Sequence, residues 1–155
     1  MRTATYRLHV AEPKAAYRHR PPLVVDASVV AAAVFGEHGR AEAEALLHGR
    51  SLHAPHLLDF EIASVGLKKL RREHLPLEAV AAALRAYAQL PFERHAVDAE
   101  TLTLIAQRYR LTAYDAAYLC VADQLAAPLA TLDDKLAEAA RAYLSADRHV
   151  HEPAT

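Results

Sequence analysis

The strongest constraint on the fold is a continuous apolar run, LVVDASVV at residues 23–30, which contains a single acid, Asp26. A run without polar alternation is typical of a strand that is buried on both faces, as in the centre of a parallel sheet. A carboxylate within such a run is costly to bury unless a partner or an ion compensates its charge. The run therefore predicts a central strand and marks Asp26 as a candidate functional residue.

Strand and helix patterns alternate along the rest of the chain. Three more strands are predicted, at SLHAPHLL (51–58), FERHAV (92–97) and APLATLD (127–133). Helical patterns separate these strands, and the expected N-caps of three of the helices are Asp59, Asp98 and Thr112. Strands joined through helices pair in parallel by right-handed crossovers. We therefore predict an α/β fold, a three-layer α/β/α sandwich with a central, mostly parallel sheet.

Length and charge indicate one folded domain with short additions. The 155 residues are 53% hydrophobic and 24% charged, as in an ordinary globular domain. Residues 1–22 carry five cations against one acid, net +4, which leaves −5 for residues 23–155 of a chain with net charge −1. We expect an N-terminal arm at 1–22, with Tyr6, Leu8 and Val10 suited to a short edge strand, a single globular domain at 23–150 and a flexible tail at 151–155.

Cysteine content and hydropathy indicate the cellular compartment in which the chain is expected. The only cysteine, Cys120, has no intramolecular disulfide partner and lies on an apolar helix face, so we expect a buried, inert thiol and a reducing compartment such as the cytoplasm. The sequence shows neither a secretory signal pattern nor an apolar stretch of membrane length, so no membrane association is expected. The histidines show no metal-ligand spacing beyond His149 and His151, and no zinc site is predicted from spacing.

Four acids are placed where a parallel sheet binds ligands. Asp26 and Asp133 end two predicted strands, and the carboxyl ends of neighbouring parallel strands meet at one edge of the sheet. Glu61 and Asp115 fall in first turns of predicted helices that point toward the same edge. Four neighbouring carboxylates raise one another's pKa and resist ionisation unless a counter-charge is present. Mg²⁺, or Mn²⁺ in its place, suits these oxygen ligands, and phosphodiester hydrolysis is chemistry that uses such an ion.

Each acid also has a purely structural interpretation. Asp115 ends a T-x-x-D pattern that resembles a capping box, and Glu61 suits the positive end of its helix dipole. Asp133 is itself a candidate N-cap, with Asp134 as its rival for either role. Asp26 has the weakest alternative, which is to cap the helix that follows it. The joint occurrence of the four acids favours a shared site.

The chain contains, in this order, the motifs VVDAS, FEIA, TAYDAAYLCVA and ATLDDKLA. Together they resemble the PIN-domain nucleases, specifically the VapC-like toxins, over residues 23 to about 145. The resemblance implies that Asp26, Glu61, Asp115 and Asp133 are the catalytic, metal-binding acids, with the hydroxyl of Ser28 in support. Ser64 departs from the pattern, because many members have Asn there.

The resemblance also implies a function. Its members cleave RNA with Mg²⁺, leave a 5′-phosphate and a 3′-hydroxyl, act as toxins restrained by a cognate antitoxin in the active-site groove, and form homodimers. Lys68 and Arg72 share a helix face with Glu61 and are predicted to contact RNA, although a solvated face or an acidic antitoxin segment explains them as well. The alternative function is a catalytically inactive PIN-like module that binds RNA or protein.

Overall fold

The central sheet contains four strands, β1 (Pro22–Val25), β2 (Ser51–Pro55), β3 (Phe92–His95) and β4 (Leu129–Ala130). They lie in the order β3-β2-β1-β4, and every neighbouring pair is parallel. The predicted central position of β1 is confirmed. The other three strands are shorter than predicted, and β4 is reduced to two residues, so that residues 131–133 form a loop rather than a strand end.

The computed structural model describes residues 20–146. The expected edge strand at residues 6–10 and the tail at 151–155 lie outside the described residues, as does most of the expected arm. Sheet pairing begins just within that arm, because the amide of Ser51 donates to the carbonyl of Pro21 and β1 starts at Pro22.

Two layers of helices cover the sheet. The described residues form seven helices: α1 (Ala27–Phe35), α2 (Arg40–Leu47), α3 (Leu58–Arg71), α4 (Leu77–Ala88), α5 (Ala99–Tyr109), α6 (Ala113–Gln124) and α7 (Asp134–Ala146). Helices α1 to α4 pack together, whereas α6 packs between α5 and α7 and contacts β1, β2 and β4. The predicted three-layer α/β/α sandwich is confirmed. No helix within residues 20–146 has the length and apolarity that crossing a membrane requires.

The strand order creates a switch point between β1 and β4. The chain moves outward from β1 through β2 to β3, then returns to the other side of β1 for β4. In open parallel sheets the crevice beyond the carboxyl ends at such a reversal is the usual ligand site. Asp26 follows β1 directly, and the loop of residues 131–133 follows β4, so the topology brings two of the predicted acids to this edge.

The core explains why the apolar run is uninterrupted. Leu23, Val24 and Val25 are between 0 and 3% exposed, because helices cover both faces of β1. Leu58 and Ile62 of α3 are fully buried in the same core. Cys120 is buried as predicted, and burial raises the pKa of its thiol to about 11.

Two of the three predicted helix caps are confirmed. Asp98 accepts a hydrogen bond from the amide of Thr101 at 2.8 Å, and the hydroxyl of Thr112 accepts one from the amide of Asp115 at 3.1 Å. The prediction for Asp59 is wrong, because α3 starts at Leu58, the N-cap position is Leu57 and Asp59 lies in the first turn.

Tertiary partners hold Asp59 instead. Its Oδ1 accepts hydrogen bonds from Tyr87 Oη at 2.5 Å and from Arg94 Nη2 at 2.8 Å. The Arg94 guanidinium holds the pKa of Asp59 below its ordinary value. This group connects the start of α3 to α4 and β3.

Candidate active site

Asp26 is the most enclosed acid of the predicted site, with 7% of its surface exposed. Its Oδ2 accepts hydrogen bonds from Ser28 Oγ at 2.5 Å and from Thr131 Oγ1 at 2.8 Å. The backbone of Asp26 occupies the N-cap position of α1, but its side chain makes no capping bond. The capping alternative therefore does not explain this carboxylate, which is held by a hydroxyl from each side of the switch point.

The loop after β4 completes a small hydrogen-bond network around Asp26. The amide of Leu132 donates to Ser28 Oγ at 3.0 Å, and the amide of Asp133 donates to Thr131 Oγ1 at 3.0 Å. Thr131 was not among the predicted site residues. The signal that could have identified Thr131 is the T-x-D pattern, whose threonine places a hydroxyl two residues before the acid.

Asp133 lies in this same loop and caps the next helix. Its Oδ1 accepts a hydrogen bond from the amide of Leu136 at 2.8 Å, so the structural interpretation of Asp133 as the N-cap of α7 is confirmed. Its rival Asp134 is the first residue of α7, and both acids are exposed. Capping engages one carboxylate oxygen of Asp133 and leaves the other for an ion or a water.

Glu61 is held from the opposite helix layer. Its Oε2 accepts a hydrogen bond of 2.5 Å from Tyr118 Oη, and Tyr118 is fully buried in α6. The pKa of Glu61 is raised to about 7, mainly by burial; the hydrogen bond from Tyr118 lowers this pKa, and the charges of Asp26 and Asp115 raise it. Three of the predicted acids are therefore close enough to oppose one another's ionisation.

Asp115 combines a structural and an electrostatic role. The hydroxyl of Thr112 accepts from its amide and donates to its Oδ2 at 2.8 Å, so the predicted capping pattern is present at the start of α6. The same carboxylate raises the pKa of Glu61. Helix capping and membership of an acidic site are compatible here.

No three of the four carboxylates bring ligand oxygens within 4.8 Å of one another in the described part of the chain. Among residues 20–146, one group of three side chains does bring its potential ligand atoms within 4.8 Å of one another. It consists of His53, Glu93 and His95 and lies away from the four acids. Mg²⁺ suits the wider spacing of the acids, because it is usually bound through one or two carboxylates and keeps several of its waters. An all-oxygen donor set whose charges raise the pKa of Glu61 fits a hydrated divalent cation.

A groove of about 720 Å³ opens beside Glu61. Ser28 lines it, together with two exposed aromatic side chains, Phe60 with 75% and Tyr114 with 67% of its surface accessible. Phe60 had not been singled out in the sequence. Ser64 also lines the groove, and its hydroxyl donates to the carbonyl of Phe60 at 2.8 Å.

The basic run on α3 divides into two parts. Lys68 lines the main groove and also an adjoining cavity of about 370 Å³, which Arg72 shares. Lys69 is only 8% exposed and forms ion pairs with Glu37 at 2.6 Å and Glu73 at 2.9 Å. The predicted RNA-contacting pair, Lys68 and Arg72, is therefore on the cavity side of α3. Lys69 also lines the main groove, but its ammonium group is engaged by Glu37 and Glu73.

Comparison with known proteins identifies the relatives of this chain. The sequence profile of the PIN domain matches residues 23–142. VapC ribonuclease Mb0985 of Mycobacterium bovis is 36% identical over 121 residues, which are 77% of this chain and 92% of the relative. Ribonuclease VapC9 of Mycobacterium tuberculosis matches with the same identity and coverage. Ribonuclease VapC3 of Pyrobaculum aerophilum is 32% identical over 121 residues, 75% of this chain and 92% of the relative.

A solved structure shares the fold. The crystal structure of PAE2754 from Pyrobaculum aerophilum superposes with a TM-score of 0.62 and covers 81% of this chain and 94% of that one. Its sequence identity of 24% makes this a likeness of fold only.

Proposed function

This chain belongs to the PIN domain family and, within it, to the VapC-like proteins, and on that premise we propose that it is a metal-dependent endoribonuclease, the toxin of a toxin-antitoxin pair. The observation that carries the proposal is the convergence of Asp26, Glu61 and Asp115 at the switch point of the sheet, beside an open groove. Relatives of 32 to 36% identity bear the name ribonuclease, which supports the same activity.

The metal is Mg²⁺, with Mn²⁺ able to replace it. Asp26, Glu61, Asp115 and Asp133 would hold it, directly or through water. When bound, such an ion neutralises charge on the phosphate and lowers the pKa of an attacking water. The protein orients the four acids, because each carboxylate accepts a hydrogen bond from a hydroxyl or an amide at one of its oxygens.

The supporting residues orient these acids. Ser28 and Thr131 both donate to Oδ2 of Asp26, which leaves its Oδ1 for the ion. Tyr118 donates to Oε2 of Glu61, so that Oε1 would be available to the ion or to its water. Mutation of residues that hydrogen-bond to metal ligands commonly lowers metal affinity or activity by about 10- to 100-fold. We therefore include the hydroxyls of Ser28, Thr131 and Tyr118 in the active site.

The groove is suited to a single RNA strand. Bases stack readily on exposed aromatic rings, and Phe60 and Tyr114 present such rings beside the acids. Lys68 and Arg72 continue along α3 and are placed to contact phosphates. RNA thus lies along α3 with a phosphodiester at the acidic end.

The proposed protein partners are those that the resemblance implies. A cognate antitoxin covers the groove beside Glu61 and so restrains cleavage, and the chain forms a homodimer. The exposed apolar surface of Phe60 and the cation of Lys68 in this groove, with Arg72 in the adjoining cavity, are features that an antitoxin segment can use.

Cleavage of total RNA by antitoxin-free protein tests the activity. With Mg²⁺ or Mn²⁺ we expect discrete cuts that leave 5′-phosphates, and no cuts in EDTA. Glu61→Gln is expected to lower the rate by at least about tenfold. The matched control is Glu138→Gln, which changes an exposed glutamate on α7 and leaves the cuts unchanged. Equal cleavage by both variants contradicts a role for Glu61.

A second candidate function has one observation in its favour. In the described structure, no three of the four carboxylates bring ligand oxygens within 4.8 Å of one another. A catalytically inactive PIN-like module would use the same groove to bind RNA or a protein. Folded protein that binds RNA but cuts none in either metal would establish this alternative.

A further inference from the structure

A group of metal-ligating side chains on β2 and β3 has no part in the proposed nuclease site. His53 pairs in register with Glu93, and Pro55 pairs with His95. Because side chains alternate across a strand, this register places His53, Glu93 and His95 on one face of the sheet. The group is therefore fixed by the backbone of two neighbouring strands.

The ligand atoms of this group have the spacing of a tetrahedral metal site. His53 Nδ1 lies 3.0 Å from His95 Nε2 and 3.7 Å from Glu93 Oε2. His95 Nε2 lies 3.9 Å from Glu93 Oε1. A tetrahedral zinc ion with bonds of 2.0 to 2.1 Å separates its ligand atoms by about 3.4 Å. These distances lie on both sides of that value and involve both oxygens of Glu93. With one ligand atom from each residue, all three atoms lie within 4.8 Å of one another, so small side-chain adjustments suffice to hold an ion.

The ring of His53 is oriented for this role. Its Nε2 lies 3.0 Å from the hydroxyl of Ser51, and the residue is only 7% exposed. Donation from Nε2–H to Ser51 leaves the lone pair of Nδ1 directed toward His95 and Glu93. Histidine ligands of metals are commonly oriented in this way, by a hydrogen bond at the other ring nitrogen.

We propose that His53, Glu93 and His95 form a second divalent-cation site, of the class that binds Zn²⁺, with its fourth position open to water. Two imidazoles and one carboxylate favour Zn²⁺ over Mg²⁺, which prefers oxygen ligands alone. Zinc binding replaces the hydrogen bond between the two imidazoles. The proton on Nε2 of His95 then moves to Nδ1 of the same ring or to solvent. Glu93 is 68% exposed at its side chain and leaves the ion a path from solvent.

The position of the group indicates what the ion does. β3 is an edge strand of the sheet, and its described strand neighbour is β2. An ion held by one ligand from β2 and two from β3 crosslinks these strands. It is expected to stabilise the folded state by an amount that rises with the logarithm of its concentration once that concentration exceeds its dissociation constant.

Zinc titration of the untagged, full-length protein tests the proposal. The protein is stripped with EDTA, transferred to buffer with excess Mg²⁺ and titrated with Zn²⁺ in a calorimeter. We expect one zinc per chain, bound at least about tenfold more weakly by His95→Gln and by Glu93→Gln. Asp26→Asn, at the nuclease site, and His38→Gln, which removes an exposed imidazole between α1 and α2, are expected to bind like the unaltered protein.

Two further readouts separate a built site from adventitious histidine binding. Co²⁺ in place of zinc should give the intense visible absorption of a tetrahedral ion, and Zn²⁺ should raise Tm in the unaltered protein but not in Glu93→Gln. The exposed position of Glu93 keeps that variant folded, which an unchanged Tm without metal verifies. Absence of stoichiometric zinc, or zinc affinity in His95→Gln and Glu93→Gln equal to that of the unaltered protein, overturns the proposal.

Discussion

Individual hydroxyl groups determine how the acids of this protein are presented. Asp26 is nearly enclosed, yet its Oδ2 accepts from Ser28 and Thr131 while the backbone of the same residue starts α1. Glu61 is fixed by Tyr118 and Asp115 by Thr112. A charged group that is buried and hydrogen-bonded at one oxygen keeps its orientation without losing its capacity to bind an ion.

Replacement of Thr131 tests this positioning. Thr131→Val removes the hydroxyl that donates to Asp26 and accepts from the amide of Asp133, at nearly constant volume. We expect about 10- to 100-fold lower activity or metal affinity, measured as the Mn²⁺ concentration that gives half-maximal cleavage. Thr131→Ser keeps the hydroxyl and is expected to restore most of the affinity. Equal metal dependence of the valine and serine variants would show that the hydroxyl has no such role.

The raised pKa of Glu61 predicts a pH-dependent stability in the metal-free protein. Its pKa is about 7 in the folded state against an ordinary value of 4.5. The folded state therefore binds this proton more tightly, and the stabilisation is fully present below 4.5 and lost as pH rises through about 7. Because Glu61 is partly exposed, screening reduces the effect to about 1–2 kcal/mol.

Urea unfolding in EDTA at about pH 5 and about pH 8 measures this loss. The midpoint is expected to fall between these pH values in the unaltered protein and to fall less in Glu61→Gln, which mimics the protonated acid and still accepts from Tyr118. Glu138→Gln is the control for removing an exposed carboxylate. An identical fall in Glu61→Gln would assign the pH dependence to other groups.

At the scale of elements, α3 carries two functions on different faces. Its first turn supplies Glu61 and Phe60 to the groove, and Leu58 and Ile62 anchor it in the core. Adjacent lysines of the same helix both line the groove, but Lys69 is nearly buried and paired with Glu37 and Glu73, whereas Lys68 is exposed. The change of role between adjacent lysines follows from the helical repeat, which turns the chain by about 100° per residue.

Alanine substitution of the two lysines should therefore give opposite results. Lys69→Ala removes a nearly buried side chain together with its ion pairs to Glu37 and Glu73, and is expected to lower the free energy of unfolding more than Lys68→Ala does. Lys68→Ala is expected to change that free energy by less than about 0.5 kcal/mol and to weaken RNA binding, with a salt slope reduced by about 0.7. Urea unfolding and RNA titration at several salt concentrations measure both. Loss of stability in Lys68→Ala with none in Lys69→Ala would contradict these assignments.

At the scale of the whole molecule, the sequence predicted what local patterns determine. The uninterrupted run at residues 23–30 was sufficient to place β1 in the centre, and strand-helix alternation was sufficient for the parallel sandwich. The loop at 131–133 was predicted as strand because its pattern continues that of β4. Capping of α7 by Asp133 ends the strand early.

Contacts between distant segments were the part that the sequence could not show. Asp59 was predicted as a cap from its local position, but its partners Tyr87 and Arg94 lie 28 and 35 residues away. His53 and His95 are 42 residues apart and meet only through the register of β2 with β3. Such pairings depend on strand register and helix orientation, which no local periodicity encodes.

The division between arm and domain also has a test at this scale. A variant that lacks residues 1–19 keeps β1 and the hydrogen bond between Ser51 and Pro21. We expect its Tm to remain within a few degrees of the full chain's and its cleavage to be retained. Calorimetry of both chains measures this. A large loss of Tm would assign residues 1–19 to the folded domain, whereas the expectation is that they form an accessory arm.

The central claim is that the acids at the switch point hold the metal that cleaves RNA, and the single-turnover cleavage rate of Asp26→Asn tests it most directly. Measured against Mn²⁺ concentration on one RNA fragment, the rate is expected to fall at least about 100-fold. The rate of Asp123→Asn, which alters an exposed acid on α6, should match that of the unaltered protein. Metal-dependent cleavage by Asp26→Asn at the unaltered rate would place the metal site elsewhere and contradict the claim.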